Sequence, residues 1–580
     1  MMPADKIISE RTWNFPPSTV SLKAKCLGAL PVPAQGNPAE SEPHPAGQLL
    51  APRREPISYP FGYFYWLVAL ALFIYAYYPS HTIKLLVEHW EFNDSLNQLH
   101  FHPGRLKDWL TVCFDTPFKD FRFIPGAYLC QFISFSLFKN HFGWYWFTNI
   151  VLHVTNSLLI SLLANAWCGK RLKDNAGFLT GALFLVVPGC YETIIWTFFS
   201  YKILTVTLLL LCLLAYERFL RDGNIRNAAA CCAVLFIMYL CYEASLLIGC
   251  ALIAGLFFLD KTFSRRKVLV LASAVAVTWM IYAGGYLCAR GYVKESLQMS
   301  HQMVKTSALD ALLPVHLRDY ALSGLRWLWQ GTALENSGIP LALSDRARTF
   351  AAMLPGSQGQ LEGPPLQFYT ALRNDLNEPY LLYILLIAAV WFVLLFNIVR
   401  KTIPARRIAL ALLILFFGSA LVVVGRTLSN GTNYLAGLSI YHYLPASVFA
   451  LVLGLMLVNA TVKYDLRAKV ALSSFVLLII FLAASTRQIV SAYMKVEGRT
   501  LALFQRVEET LARTPSSRIY IDYKMLRAPT WSSFVTDESH TFHAFHLVFG
   551  DAIVERRNLA DVVMDGAGIV RTNSERISDK

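Results

Sequence analysis

The chain has 580 residues, of which 55% are hydrophobic and 16% charged, with a formal net charge of +14. Its mean hydropathy of +0.43 excludes an ordinary soluble globular protein and describes a polytopic membrane protein whose main solvent is the lipid bilayer. The excess positive charge sits in short loops between apolar runs, where it faces anionic lipid, and no basic stripe or nucleic-acid motif accompanies it, so no nucleic acid is expected as a partner.

In chain order, residues 1–58 are polar and Pro-rich (Pro16-Pro17, Pro31 to Pro33, Pro43 to Pro52) and read as a disordered cytoplasmic tail, not a cleavable signal peptide. A first span is predicted over 60–79, about the twenty residues that a bilayer requires, followed by a first outer loop over 80–142. Five basic loops then set the orientation: Gly169 to Lys173, Arg218 to Arg226, Lys261 to Lys267, Arg400 to Arg407 and Lys463 to Lys469. Lys and Arg near span ends stay on the cytoplasmic side. All five can do so only if the apolar stretch Phe121 to Phe138 does not cross. With Pro125 and Gly126 in its first turn and Gln131 inside it, that stretch is read as an interfacial helix.

The remaining spans are predicted near 143–166, 176–190, 201–217, 227–241, 243–259, 268–288, 380–399, 407–425, 441–460 and 470–485, eleven with the first. The expected class is an all-α polytopic membrane protein. Its parts are a transmembrane core over 59–288, an extracytoplasmic loop over 289–378, C-terminal transmembrane helices over 379–485 and a small extracytoplasmic α/β tail over 486–580. The long loop carries eight basic and eight acidic residues, and its Leu/Trp-rich stretch Leu312 to Trp329 suggests amphipathic helices lying on the membrane. In the tail, Lys495 to Arg513 has helical periodicity and Arg518 to Tyr523 alternates like a strand. His540, His543 and His546 lack a Cys or carboxylate partner and read as an exposed helical face, not a metal site. The 11 cysteines, Cys231-Cys232 among them, show no disulfide or metal-ligand spacing and read as packed thiols.

Carboxylates at the mouth of a helical bundle cost desolvation free energy and are commonly functional. Glu91 and Asp94 in the first outer loop, Glu192 in the tight connection Pro188 to Glu192, and Glu243 at the outer junction of two spans are the acidic candidates. Lys202 lies ten residues beyond Glu192 and offers it a charge partner, as does Arg122. His153 and Asn156 share one face of a span and are expected to make interhelical hydrogen bonds.

Several segments together resemble the GT-C superfamily of membrane glycosyltransferases, nearest the TMTC-type protein O-mannosyltransferases and their bacterial relatives. Asp120-Phe-Arg122-Phe-Ile-Pro125 resembles the Arg-Pro-Leu start of that family's juxtamembrane helix, and Phe147-Thr-Asn149-Ile-Val-Leu-His153 resembles its His-x-x-Asn-x-x-x-His helix. Pro188 to Glu192 is similar to its His-Pro-x-x-x-Glu, Tyr242-Glu243 to its Lys-Glu, and Tyr441-His442-Tyr443-Leu-Pro445 to its Arg-Tyr-x-Tyr-x-Pro. The likeness covers about residues 60–260 and a patch near 440. Ser200 and Lys202 stand where the family has Arg and Asp, Ile440 stands in place of an Arg, and no terminal helical-repeat domain follows.

The resemblance implies inverting transfer of a sugar from a polyprenyl-phosphate-linked donor to a glycan, lipid or protein acceptor on the non-cytoplasmic face. Asp94, with Glu91 beside it, is then the candidate general base. Arg122, Lys202 and Arg426 are candidates to hold the departing lipid phosphate, and Glu243, Tyr441 and His442 to contact substrate. Asp94 and Glu192 offer oxygen ligands that suit Mg²⁺ or Mn²⁺. Lack of a retention signal favours a bacterial inner membrane, with the N-terminus cytoplasmic and the C-terminus outside. Two other readings are a non-catalytic protein of the same fold and a transporter or flippase of lipid-linked sugars, although no inverted repeat is evident.

Overall fold

A computed structural model describes residues 61–82, 123–138, 141–168, 177–187, 190–195, 200–259, 264–293, 405–430 and 443–460, with shorter stretches and single positions between 102 and 572. The helices are α1 (Phe61–Tyr77), α2 (Pro125–Phe138), α3 (Phe142–Trp167), α4 (Phe178–Val186), α5 (Tyr191–Ile195), α6 (Ser200–Asp222), α7 (Ile225–Cys241), α8 (Ile248–Leu259), α9 (Arg265–Val293), α10 (Ala405–Asn430) and α11 (Tyr443–Ala460). A 3-10 turn, Tyr78–Thr82, follows α1, and another, Glu243–Leu247, joins α7 to α8. Nearer the C-terminus, Ile519–Ile521, Val562–Met564 and Ile569–Thr572 are strands β1 to β3 of an antiparallel sheet in the order β1-β3-β2. Ile519 pairs with Arg571.

Among the described residues, four stretches are long and apolar enough to cross a bilayer: Gly143–Trp167, Ser200–Asp222, Arg265–Cys288 and Arg406–Val424. The chain is therefore a helical membrane protein. Burial differs sharply among them, from 61% of the apolar window in α6 to 22% in α9. Leu269, Val277, Met280 and Ile281 stand exposed along α9, a face that lipid tails solvate as well as protein would. The expected spans at 143–166, 201–217, 268–288 and 407–425 correspond to α3, α6, α9 and α10, with α9 continuing to Val293. The stretch 380–399 and the basic loops at 169–173 and 463–469 lie outside the described residues.

At the centre stands α4, nine residues long where a span over 176–190 was expected. Its sequence is apolar on every side, the mark of a helix buried all round, and residues Leu179 to Val186 are all buried, packed among α1, α3 and α11. Close approach comes from small residues. Gly177 and Gly181 face Ser157, Ser161 and Asn165 of α3 so tightly that a Cβ on Gly181 would stand 2.6 Å from the Ser157 carbonyl oxygen. Asn165 Oδ1 accepts from the Gly177 amide at 2.8 Å, Ser157 Oγ donates to the Gly181 carbonyl at 2.9 Å, and Trp66 Nε1 of α1 donates to Ser157 Oγ at 2.7 Å. Gly181→Ala is accordingly expected to destabilise the bundle by about 1–3 kcal/mol. Thermal unfolding in detergent measures this, and an unchanged midpoint would mean that α3 and α4 can part at no cost.

The ends of the bundle differ in charge. Lys267, at the start of α9, donates from Nζ to the Leu220 carbonyl at 2.8 Å, and Arg407, at the start of α10, pairs with Glu217 near the end of α6. Gly223 turns the chain between α6 and α7 with φ of +65°, a conformation that suits Gly, and Asn224 caps α7 by accepting from the Arg226 amide. The basic segments at 218–226, 265–267 and 406–407 thus meet at one end, the arrangement that the parity argument requires of them.

Helix α2 lies at the other end. Phe123, just before it, accepts at its carbonyl from Tyr282 Oη of α9 at 2.9 Å. A Cβ on Gly126 would stand 3.0 Å from the Leu240 backbone at the end of α7, and Gln131 Nε2 donates to Ser200 Oγ at the start of α6 at 3.3 Å. Phe138 stacks on Trp144 at the start of α3. Over about 21 Å of length, α2 touches the ends of α9, α7, α6 and α3 in turn, so it runs across the bundle and not through it.

Candidate functional site

The site begins with the polar face of α3. Asn149, His153 and Asn156 recur at spacings of four and three, so they share one side of the helix, and all three are fully buried. Such groups must be hydrogen-bonded to persist in an apolar interior. Asn149 Nδ2 donates to the Ile194 carbonyl of α5 at 3.0 Å, and Asn156 Nδ2 donates to the Ile203 carbonyl of α6 at 3.1 Å. The interhelical role expected for His153 and Asn156 is the one they fill.

Their common partner is Tyr443, the first residue of α11, from 287 and 290 positions away. His153 Nε2 faces the Leu185 carbonyl at 3.4 Å, and a carbonyl only accepts, so Nε2 carries the proton and Nδ1 is the acceptor. Tyr443 therefore donates its hydroxyl to His153 Nδ1 at 2.8 Å and receives the second amide hydrogen of Asn156 at 3.1 Å. The rings of Phe73 and Phe184 pack on His153 from α1 and α4. Pro445 is tolerated two residues on because the first turn of a helix leaves its amides unpaired in any case. Tyr443→Phe strands the Asn156 hydrogen and His153 Nδ1 in a dry interior. A loss of about 1–3 kcal/mol is expected, read as a lower unfolding midpoint; an unchanged midpoint would show that the network contributes nothing.

Tyr443 also borders a cavity of about 30 Å³, enough for ordered water or a small polar group. Lys202 and Thr205 line it from α6, Tyr242 and Ser245 from the junction of α7 and α8, and Gly418 from α10. Val206, Leu209, Ile248 and Leu444 supply apolar wall. Thr205 and Ser245 direct their hydroxyl hydrogens to the carbonyls of Tyr201 and Tyr242, at 2.7 and 2.6 Å, which leaves their oxygens as acceptors. A side chain on Gly418 would press against Leu444, 2.9 Å from a Cβ. Lys202 is only 5% exposed. An ammonium in that setting, at the bundle end away from the basic segments, is costly to bury, which makes Lys202 a candidate functional group.

Of the residues singled out from sequence, the structure brings Lys202 to this cavity; Glu243 opens the 3-10 turn between the lining residues Tyr242 and Ser245. Glu192 lies in α5 and Arg426 in α10, each described in its backbone only. Glu91, Asp94, Arg122, Tyr441 and His442 lie outside the described residues, so the base and most of the phosphate-binding set have no described geometry. Among the described residues no three His, Cys, Asp or Glu side chains gather as a metal site would need. Sequence reasoning gave no role of its own to Tyr443, although it stood inside the quoted Tyr441 to Pro445 motif, and it missed Thr205 and Ser245, whose hydroxyls carry no pattern along the chain.

No family model matches the chain, and no curated protein matches it.

Proposed function

We propose that this protein is an integral-membrane glycosyltransferase of the GT-C type, moving a sugar from a polyprenyl-phosphate donor to an acceptor hydroxyl with inversion. The observation that carries the reading is convergence. Tyr443 of the Tyr441 to Pro445 stretch bonds to His153 of the Phe147 to His153 stretch, and Tyr443 and Tyr242 line one cavity with the buried Lys202, so three separate stretches that resemble family motifs come together there. The cavity lies at the end opposite the basic segments, which the positive-inside rule assigns to the non-cytoplasmic face. Helix α2 across that end serves as the interfacial helix.

In this mechanism Asp94 takes the proton of the acceptor hydroxyl as its oxygen attacks the anomeric carbon. The bond from that carbon to the lipid phosphate breaks on the opposite face, and Lys202, aided by Arg122 and Arg426, holds the phosphate as its charge develops. Glu243, Tyr441 and His442 border the donor sugar. Mg²⁺ or Mn²⁺, held by Asp94 and Glu192, would supply further neutralisation of phosphate charge.

The test is mass spectrometry of envelope glycans and polyprenyl-linked sugars from cells with the wild type, a deletion or Asp94→Asn. Loss of one sugar and build-up of its lipid-linked donor are expected in both altered strains. Unchanged glycans and lipid-linked sugars in the deletion would end the reading.

A further inference from the structure

Two cysteines that sequence spacing leaves unconnected meet at the rim of this site. Cys130 lies one turn beyond Gly126 on the same side of α2, where α2 presses on the end of α7: a Cβ on Gly126 would be 3.0 Å from Cys241 Sγ. The thiols of Cys130 and Cys241 are near enough to perturb each other's titration. Cys130 is half-buried and Cys241 buried. Each adjoins the cavity wall in sequence: Cys241 precedes Tyr242, and Gln131, next to Cys130, bonds to Ser200, two residues before Lys202.

We propose that Cys130 and Cys241 form a disulfide that fastens α2 to the wall of the cavity. The inference rests on the reading that this end of the bundle faces the non-cytoplasmic, oxidising compartment. The co-reactant is a protein or small-molecule disulfide of that compartment. The more exposed Cys130, as thiolate, attacks one of its sulfurs, giving a mixed disulfide and releasing one thiol; Cys241, losing its proton, then displaces the second thiol. The pair loses two electrons and two protons, and the exchanging disulfide is reduced to two thiols. A second close pair provides a contrast: Cys212 and Cys231 lie 3.3 Å apart at sulfur, both fully buried within α6 and α7. No exchanging disulfide reaches them there, so they stay reduced although their contact is as close as a thiol pair makes.

The full chain in its native membrane serves for the test. Cells are quenched in acid, unfolded with light N-ethylmaleimide, then reduced and treated with the heavy isotopologue, and each cysteine peptide is read by mass spectrometry. Heavy label is expected on Cys130 and Cys241 and light label on Cys212 and Cys231. Cys130→Ser should convert Cys241 to light label; heavy label persisting there means another partner and overturns the pair. Light label on both cysteines of the wild type overturns it too. In that event a membrane-impermeant maleimide on intact cells separates the causes: reaction at Cys130 leaves the functional reading in place, whereas reaction only after permeabilisation removes the orientation on which both stand.

Discussion

Lys202→Met is expected to lower sugar transfer by about 10²- to 10³-fold, the scale on which one preorganised electrostatic contact to developing charge contributes to a rate. Lys202 is 5% exposed and borders a cavity of about 30 Å³ with Tyr242, Ser245 and Tyr443 around it. An ammonium there keeps little bulk water, so its interaction with a phosphate is weakly screened. Met matches the length of the stem and removes only the charge. Removing a buried charge also perturbs the groups around it, so the unfolding midpoint is read beside turnover: turnover should fall far more than any change in midpoint accounts for, and Lys202→Arg, which keeps the cation, should retain more activity than Met. Purified protein in nanodiscs with a polyprenyl-phosphate sugar provides both readouts. Full turnover in Lys202→Met would remove the residue from the phosphate site, and a fallen midpoint with turnover intact would make it structural.

At the far end, Glu217→Ala should destabilise the bundle by about 3–5 kcal/mol, because it leaves Arg407 partly buried without its counter-charge. The two side chains are 4% and 19% exposed, so water compensates little. The double substitution Glu217→Leu with Arg407→Met should recover most of the loss, since no charge then remains to be desolvated. Unfolding of the wild type, Glu217→Leu, Arg407→Met and the double variant in one detergent measures the coupling. Equal losses in the single and double variants would show that the pair adds nothing beyond packing. The consequence reaches the site because α6 carries Lys202 and α10 carries Gly418, both in the walls of the cavity. A strained or parted pair should loosen the spacing of those walls.

Much of the bundle was legible along the chain. The spans that became α3, α6, α9 and α10 were plain in hydropathy, since crossing about 30 Å of hydrocarbon requires about twenty apolar residues whatever their neighbours are. The lateral course of α2 followed from the parity of basic loops with Pro125, Gly126 and Gln131, and its contacts with the ends of α9, α7, α6 and α3 agree. His153 and Asn156 declared themselves as polar groups in an apolar helix. Charge and hydropathy are one-dimensional quantities, set by each residue's own transfer free energy, and they can be read without knowing the fold.

Which helices touch is a different matter. Lipid tails are as apolar as Leu, so a helix in a membrane need not mark the face it turns to protein. Nothing in its composition told the central α4 from an ordinary span. Its seat against Ser157 and Ser161 depends on the close approach that Gly177 and Gly181 allow. Nor could spacing pair Tyr443 with His153 across 290 residues, set Lys202 beside Tyr242, or bring Cys130 to Cys241. Those meetings depend on packing and hydrogen-bond geometry among elements distant in the chain, and they exist only once the helices have assembled.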